Sequence, residues 1–340
     1  MTASSTSPPT AETGGRLLRW FAAAAASPGR RHVNVCAPCE DAVATWSDSS
    51  RAAVAVSDGA GSARHARAGA EVIVRAAVDV LAAAPADPSL DELRSAILGA
   101  CLERLRERAR ALGAEPNELA ATLLFAATLG DDLLVGNLGD GAALGLDENG
   151  VARAVLPPER GEFANETYFV TSGCALERLR CERLDATRWR GVLLTTDGAA
   201  ASLCQQEGRQ IAPAVVKLLQ LLDVHPPRDA EALLARKILP VFLRRTTDDC
   251  SLGLLYGARI SCAELRERSP AYQRALLDTG NARGSRNRLA VAELLLAGRN
   301  TAQIAEQTGL TPQTVRRHAR ATAPLRCGAA GRPTGEPASR

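Results

Sequence analysis

The chain has 340 residues, 46% of them apolar, enough to bury a substantial core and to hold one large domain beside something small. Its formal charge of +3 is unevenly spread: between residues 281 and 326 eight Arg stand against two Glu, so that stretch carries +6 and the remainder −3. Nine scattered cysteines make no disulfide framework, and no run approaches the ~18 apolar residues that span a bilayer, which excludes a disulfide scaffold and a helical membrane protein. A reducing cytoplasm is the expected compartment, with no membrane partner.

The first fifteen residues, MTASSTSPPTAETGG, are polar and rich in Pro, Ser and Thr, and are expected to form a disordered tail. LLRWFAAAAAS follows. It has the look of a signal core, but Arg19 interrupts it and no basic segment precedes it; by propensity it reads as helix. Cys36-Ala-Pro-Cys39 has redox spacing, and His32 upstream suggests a metal cluster. With no strand–CxxC–helix context and no second ligand pair, two small, partly buried thiols are the reading taken.

RAAVAVSDGAGSA (51–63) is an apolar strand pattern that stops on Asp58-Gly59. Helical periodicity fills 65–84 and 89–113, the second opening on a Ser89-x-x-Glu92 capping box and closing on Gly113. ATLLFAATL, LLVGNL and AALGLD read as an antiparallel meander with short Asp- and Gly-containing turns. GVLLTT (191–196) is a buried strand ending on Asp197-Gly198. Two amphipathic stretches, PAVVKLLQLL and DAEALLARKIL, precede the last strand, SLGLLYG (251–257), which follows Asp248-Asp249. Paired helices between hairpins point to an α+β body with antiparallel sheets.

An isolated Asp-Gly is a turn signal, and for Asp140-Gly141 and Asp147 a tight turn is the strong reading. The recurrence points further. Strand ends of one sheet can converge, and clustered carboxylates repel each other unless a cation stands between them. Glycine after Asp58 lets the main chain approach and offers a carbonyl ligand. A phosphate-cradling loop fits poorly, because no Lys-Ser/Thr and no βαβ unit follow.

Five segments together, GRRHVNVCAPCEDA (29–42), AVSDGAGSA (55–63), GNLGDGAAL (136–144), LLTTDGAA (193–200) and DDCSLGLL (248–255), resemble the bacterial branch of the metal-dependent Ser/Thr protein phosphatases of type 2C, in the order and spacing of that family and over roughly residues 20–256. The resemblance implies a four-layer α/β/β/α sandwich of two antiparallel sheets with a binuclear Mn²⁺ or Mg²⁺ site at one end, and it places the first strand at WFAAAAAS. It implies that Asp58 bridges two metals, that the Gly59 carbonyl, Asp197 and Asp248 complete the ligand set, and that Glu40 and Asp41 hold metal-bound water. Asp248 is preferred to Asp249 because the family pattern has Ser or Thr three residues on, here Ser251. Asp140 matches a third, weaker metal position, and Arg30, Arg31 and His32 lie where the family binds substrate phosphate. The sequence departs at Ala60, where eukaryotic members carry a histidine thought to be a general acid, and at Ala201, where a second aspartate often supports the third metal. The two-metal set is intact; the third ion lacks that support.

Residues 258–287 lose strand character and read as a linker between a body at 16–257 and a helical module at 288–322, with a Gly/Pro-rich tail at 323–340. In AGRNTAQIAEQTGLTPQTVRRHARA, Ala305, Gly309 and the anchors Ile304, Leu310 and Val315 have helix-turn-helix spacing, and Thr311-Pro312 starts a second helix. LTPQTVRRH resembles the recognition helix of LuxR-type regulators. The resemblance implies Gln313, Thr314 and Arg317 at base edges and Arg316 and Arg320 on phosphates. The sequence thus points to a phosphatase acting on a phosphorylated protein, the product of a bacterial Ser/Thr kinase, with an appended module for DNA or protein. The alternative is a transcription regulator whose phosphatase-like body is an inactive sensor or scaffold.

Overall fold

The apolar runs that end in aspartate form strands buried on both faces. In the computed structural model, which describes residues 15–158, 167–205 and 210–325, the strands in chain order are β1 (Arg16–Ser27), β2 (Ala42–Ser47), β3 (Ala52–Ser57), β4 (Leu123–Leu129), β5 (Asp132–Leu138), β6 (Ala142–Asp147), β7 (Ala152–Leu156), β8 (Arg180–Asp185), β9 (Trp189–Thr195), β10 (Cys204–Gln205), β11 (Gln210–Ile211) and β12 (Cys250–Ser261). Two five-stranded sheets carry the fold, ordered β1-β12-β9-β6-β7 and β2-β3-β4-β5-β8. Antiparallel pairing joins β12 to β9, β9 to β6, β6 to β7, and each neighbouring pair of the second sheet. Of the tails expected at residues 1–15 and 323–340, residues 1–14 and 326–340 lie outside the described residues, while Ala323–Leu325 form a short 3₁₀ turn with Leu325 buried.

Side chains alternate faces along a strand, and here both faces are covered. Ala53 and Ala55 of β3 join Leu123, Phe125, Ala127 and Leu129 of β4 in one cluster with Ile73, Val74 and Val78 of the helix Ala66–Ala83, and Ile97, Leu98 and Leu105 of the helix Leu90–Leu112. Their alternates Val54 and Val56 point at the other sheet: a Cβ on Gly253 of β12 would lie 2.8 Å from each. The helix Ala214–Leu219 packs on β6 and β9. The result is two antiparallel sheets face to face with helices outside, which is the expected α+β architecture. The second long helix starts and stops as its sequence dictates, on a reciprocal Ser89–Glu92 capping box and on Gly113 at φ +64°.

Two expectations need correction here. The three strands read as one meander are split: β4 and β5 are a hairpin, whereas β6 belongs to the other sheet, so Gly139-Asp140-Gly141 carries the chain between sheets. Gly139 takes φ +124°, and a Cβ on Gly141 would lie 2.6 Å from the Thr195 carbonyl, so both glycines are needed for this crossing. The helical propensity of the alanine run is overridden, because β1 pairs beside β12 at the edge of its sheet with Phe21 to Ala25 buried; the family resemblance placed it correctly.

The chain divides into two compact units, Arg19–Ala258 and residues 1–18 with 259–340. In the second unit the stretch 258–287 is structured, contrary to the linker expected there. It holds the end of β12, the helices Cys262–Glu267 and Pro270–Leu277, and the start of the helix Ala282–Leu296. Its polar residues are caps: Ser261 with Glu264, Ser269 before Pro270, and Asn281 each cap a helix, while Tyr272, Leu276 and Leu277 are buried. Helices Thr301–Thr308 and Pro312–Thr322 follow, with Gly309 at φ +66° between them, and Val291, Ile304 and Val315 meet in their core. No helix among the described residues is long and apolar enough to cross a membrane.

Candidate active site

Strand ends deliver carboxylates to one end of the paired sheets. Asp58 follows β3, Asp140 follows β5, Asp197 follows β9 and Asp248 precedes β12, and all four line a single cavity of about 450 Å³. Gly59, Glu40, Arg31 and His32 line it too. Asp41 lies behind this wall, buried, with Oδ2 accepting from the Thr196 hydroxyl at 2.8 Å and Oδ1 without a hydrogen-bond partner. Arg30 is exposed and outside the lining, so of the two expected arginines the cavity receives Arg31.

The main chain is held tightly around these groups. The Asp58 N–H donates to Thr122 Oγ1 at 2.9 Å and its carbonyl accepts from the Thr122 N–H at 2.8 Å. The Thr167 hydroxyl donates to Asp140 Oδ2 at 2.8 Å. Gly29 and Gly198 press on the Asp248-Asp249 backbone: a Cβ on Gly29 would lie 2.2 Å from the Asp248 carbonyl oxygen, and one on Gly198 1.9 Å from that of Asp249. Substitution at either therefore moves the carboxylate-bearing segment.

The electrostatics are those of anions crowded without compensation. Burial pushes the Asp58 carboxyl well above the usual carboxylate range, and Asp41, Asp197 and Asp140 push it further; it lies within hydrogen-bond reach of Asp197. Burial raises Asp197 to about 6, with Asp140 and Asp248 adding to it. Asp41 is raised to about 7, by burial first, against the hydrogen bond from Thr196. Asp197 Oδ1 is buried and unpartnered. Glu40 is raised by burial, although His32 opposes this. Hard divalent cations seek such an oxygen-only set, and a cation reverses every one of these shifts. Among the described residues no three His, Cys, Asp or Glu side chains already converge as a closed ligand set. The donor chemistry and the buried, unpartnered Oδ1 atoms of Asp41 and Asp197 fit a divalent metal.

Asp249, passed over in the sequence, is a structural hub. Its Oδ1 accepts from the Gly29 N–H at 2.7 Å and faces His32 Nδ1 at 2.8 Å, and its Oδ2 accepts from the Glu40 N–H at 2.6 Å. Burial pushes it upward, but the bonds from His32, Gly29 and Glu40 prevail and hold it below the ordinary value. Thr122, Thr167, Thr196, Gly29 and Gly198 were passed over as well. The signals available were the Thr195-Thr196 doublet before Asp197 and the glycine ahead of the two arginines. Cys36 and Cys39 are both free thiols.

In the C-terminal unit Gln313, Arg316, Arg317 and Arg320 are exposed along the helix Pro312–Thr322. Thr314 is half-buried and its hydroxyl pairs with that of the cap residue Thr311 at 2.9 Å. Buried His318 and Val315 mark the opposite face.

Comparison with known proteins bears on the first unit. The profile of the family described as "Protein phosphatase 2C" matches residues 28–237. The chain is 29% identical over 190 residues to serine/threonine-protein phosphatase 3 of Escherichia coli (strain K12), covering 53% of this chain and 74% of that protein. Its fold is similar to the crystal structure of a bacterial serine phosphatase, at TM-score 0.52 and 12% identity over 70% of this chain and 98% of the other. It also resembles the catalytic domain of the serine threonine phosphatase PstP, solved with two manganese ions, at TM-score 0.49 and 18% identity over 72% and 99% of the two chains. With the profile covering more than half its length, this chain belongs to the protein phosphatase 2C family of serine/threonine phosphatases.

Proposed function

We propose that the first unit hydrolyses phosphoserine or phosphothreonine on a partner protein, itself the product of a bacterial Ser/Thr kinase, with two Mn²⁺ or Mg²⁺ ions as cofactors. The observation that carries this is the cavity in which Asp58, Asp197 and their neighbours raise one another, with Asp197 Oδ1 buried and unpartnered. Asp58, the Gly59 carbonyl, Asp197 and Asp248 are the residues that would hold the ions, with Asp140, tethered by Thr167, beside them. Bound there, divalent ions supply an activated water and neutralise charge on the transferring phosphoryl group.

The chain's own groups do the rest. Arg31 offers a guanidinium fork at the rim for phosphate oxygens. Glu40, in the lining, and Asp41, behind it, orient water near the ligand carboxylates. The cavity's lining of carboxylates disfavours an unaccompanied phosphate, so substrate follows the cations.

The test is hydrolysis of p-nitrophenyl phosphate and a phosphothreonine peptide by the purified full chain with Mn²⁺, with Mg²⁺ or with EDTA, beside Asp197→Ala and Asp58→Ala. Metal-dependent turnover lost in both variants is the expected result. Turnover retained in both would overturn the site assignment, and no turnover from folded wild-type chain would favour the inactive sensor or scaffold.

We infer that the C-terminal helices are a helix-turn-helix that binds nucleic acid. Four polar or basic side chains, Gln313, Arg316, Arg317 and Arg320, stand exposed on a helix whose other face is buried, and the surrounding sequence carries the chain's excess of positive charge. Duplex DNA binding measured by fluorescence anisotropy at two salt concentrations tests it. Binding that weakens with salt, and weakens further in Arg316→Ala/Arg317→Ala, is expected; salt-independent or absent binding would assign these helices to protein contact. The free thiols favour the cytoplasm as the place of action.

A further inference from the structure

Breaking the bond from phosphorus to a seryl or threonyl oxygen leaves an alkoxide, which needs a proton as it departs. The side chains of the cavity offer few donors for that task. The guanidinium of Arg31 keeps its protons, the Thr167 hydroxyl donates to Asp140, and the Thr122 hydroxyl, which accepts from the Asp58 N–H, is too weak an acid for the task. Asp58, Asp140, Asp197 and Asp248 are the groups that would hold the ions, Asp249 is occupied by its own donors, and Glu40 orients water. His32 remains. We propose that His32, aimed by Asp249, is the proton donor to the leaving oxygen; this rests on the phosphatase reading above and extends it.

The geometry is that of a carboxylate–imidazole pair. Asp249 Oδ1 lies 2.8 Å from Nδ1, which fixes the tautomer with the proton on Nδ1 and leaves Nε2 as the working nitrogen. Asp249 is itself immobile. Its side chain is 3% exposed, and the N–H groups of Gly29 and Glu40 occupy its remaining acceptor positions. His32 lines the same cavity as Asp58, Asp197 and Asp248, with its side chain 16% exposed. Nε2 is 3.5 Å from Glu40 Oε2, beyond a strong hydrogen bond, so its proton is not locked to that carboxylate. The hydrogen bond to Asp249 outweighs the burial that opposes it and favours the cationic ring, with Glu40 adding to it. Because Asp249 grips both the imidazole and the main chain of Glu40, it sets the spacing of the two groups and acts as the positioning residue.

In the step itself a phosphorus–oxygen bond to water forms while the bond to the seryl or threonyl oxygen breaks. The Nε2 proton passes to that oxygen, which leaves as a neutral alcohol. The proton released by the attacking water returns through solvent to the neutral imidazole, so the cycle closes without oxidant or further reactant.

The experiment compares two substrates whose leaving groups differ in their need for a proton. A phosphothreonine peptide departs as an alkoxide, whereas p-nitrophenyl phosphate departs as a stable phenolate. With the full chain and Mn²⁺, His32→Gln should lose on the order of 10²-fold in kcat on the peptide while p-nitrophenyl phosphate turnover stays within about threefold. His32→Asn is the second variant should Gln disturb the loop, and Asp249→Asn should show the same selective loss to a smaller degree. The Mn²⁺-induced rise in melting temperature should be unchanged in the His32 variants. Equal losses on both substrates, or none on either, would overturn the proposal while leaving the metal-dependent reading standing. Absence of turnover by the wild-type chain on both substrates would overturn both, and so separates the two failures.

Discussion

The Thr196 hydroxyl donates to Asp41 Oδ2 at 2.8 Å and accepts from both the main-chain N–H and the hydroxyl of Ser251, each at 3.1 Å. One side chain thereby joins the end of β9, the start of β12 and the buried carboxylate ahead of β2. Thr196→Val keeps the shape and removes the donor, leaving Asp41 with neither oxygen satisfied. A loss of about 1–3 kcal/mol of stability is expected from stranding a buried acceptor, with Thr196→Ser close to wild type. Chemical denaturation midpoints check this; equal midpoints for the Val and Ser variants would show that the bond contributes little.

The raised carboxylates make a prediction about pH. Burial lifts Asp41 to about 7 and Asp197 to about 6, both above their value in the unfolded chain. A group with a raised folded pKa adds stability that is complete below the unfolded value and lost as pH rises through the folded one. EDTA-treated protein should therefore lose melting temperature from about pH 4 to about pH 8 through these two groups. Mn²⁺ competes with the same protons, so its stabilising effect should grow over that interval. Melting scans at pH 5 and pH 8, each with EDTA or Mn²⁺, decide it. A metal increment equal at both pH values would contradict the crowding of these carboxylates.

The aspartates were legible in the sequence because each stands at one end of an apolar run, and a strand buried on both faces leaves its polar residues at its ends. Asp249 was not, because an Asp-Asp doublet does not say which member turns inward; that was settled by three donors, from Gly29, His32 and Glu40, which come from far along the chain. The division of β4, β5 and β6 between two sheets was hidden for a related reason. Asp140-Gly141 has the chemistry of a hairpin turn, and only the pairing of β6 with β9 and β7, in the sheet that lacks β5, reveals a crossing. Residues 258–287 misled by composition, since Ser, Arg and Asn serve there as helix caps and ion-pair partners, as in the Arg266–Glu293 pair.

The two glycines against the Asp248-Asp249 backbone give a third prediction. Gly29→Ala and Gly198→Ala each place a methyl where a main-chain carbonyl now stands, at 2.2 and 1.9 Å, and backbone cannot swing aside as a flexible side chain does. Each should cost about 1–3 kcal/mol and shift the neighbouring carboxylates. Gly61→Ala is the control, because a Cβ there meets nothing within 4 Å. Apparent Mn²⁺ affinity from a thermal-shift titration should weaken in the first two and hold in the third. Unchanged affinity in Gly29→Ala would mean that the segment accommodates the methyl without moving Asp248.

Ile304 is fully buried with Val291 and Val315 at the meeting of the helices Ala282–Leu296, Thr301–Thr308 and Pro312–Thr322. This core is small, so each member carries a large share of it. Ile304→Ala removes buried methyl groups that close-packed neighbours cannot replace, at a cost of about 2–5 kcal/mol. In a unit this size that approaches the whole stability, since domains are held by about 5–15 kcal/mol. Residues 19–258 form a separate compact unit with its own cluster around Phe125 and Ile73. Hydrogen exchange of Ile304→Ala should therefore show protection collapsing across residues 282–322 while amides of β3 and β4 keep theirs. Loss of protection spread evenly over the whole chain would mean that the two units unfold as one.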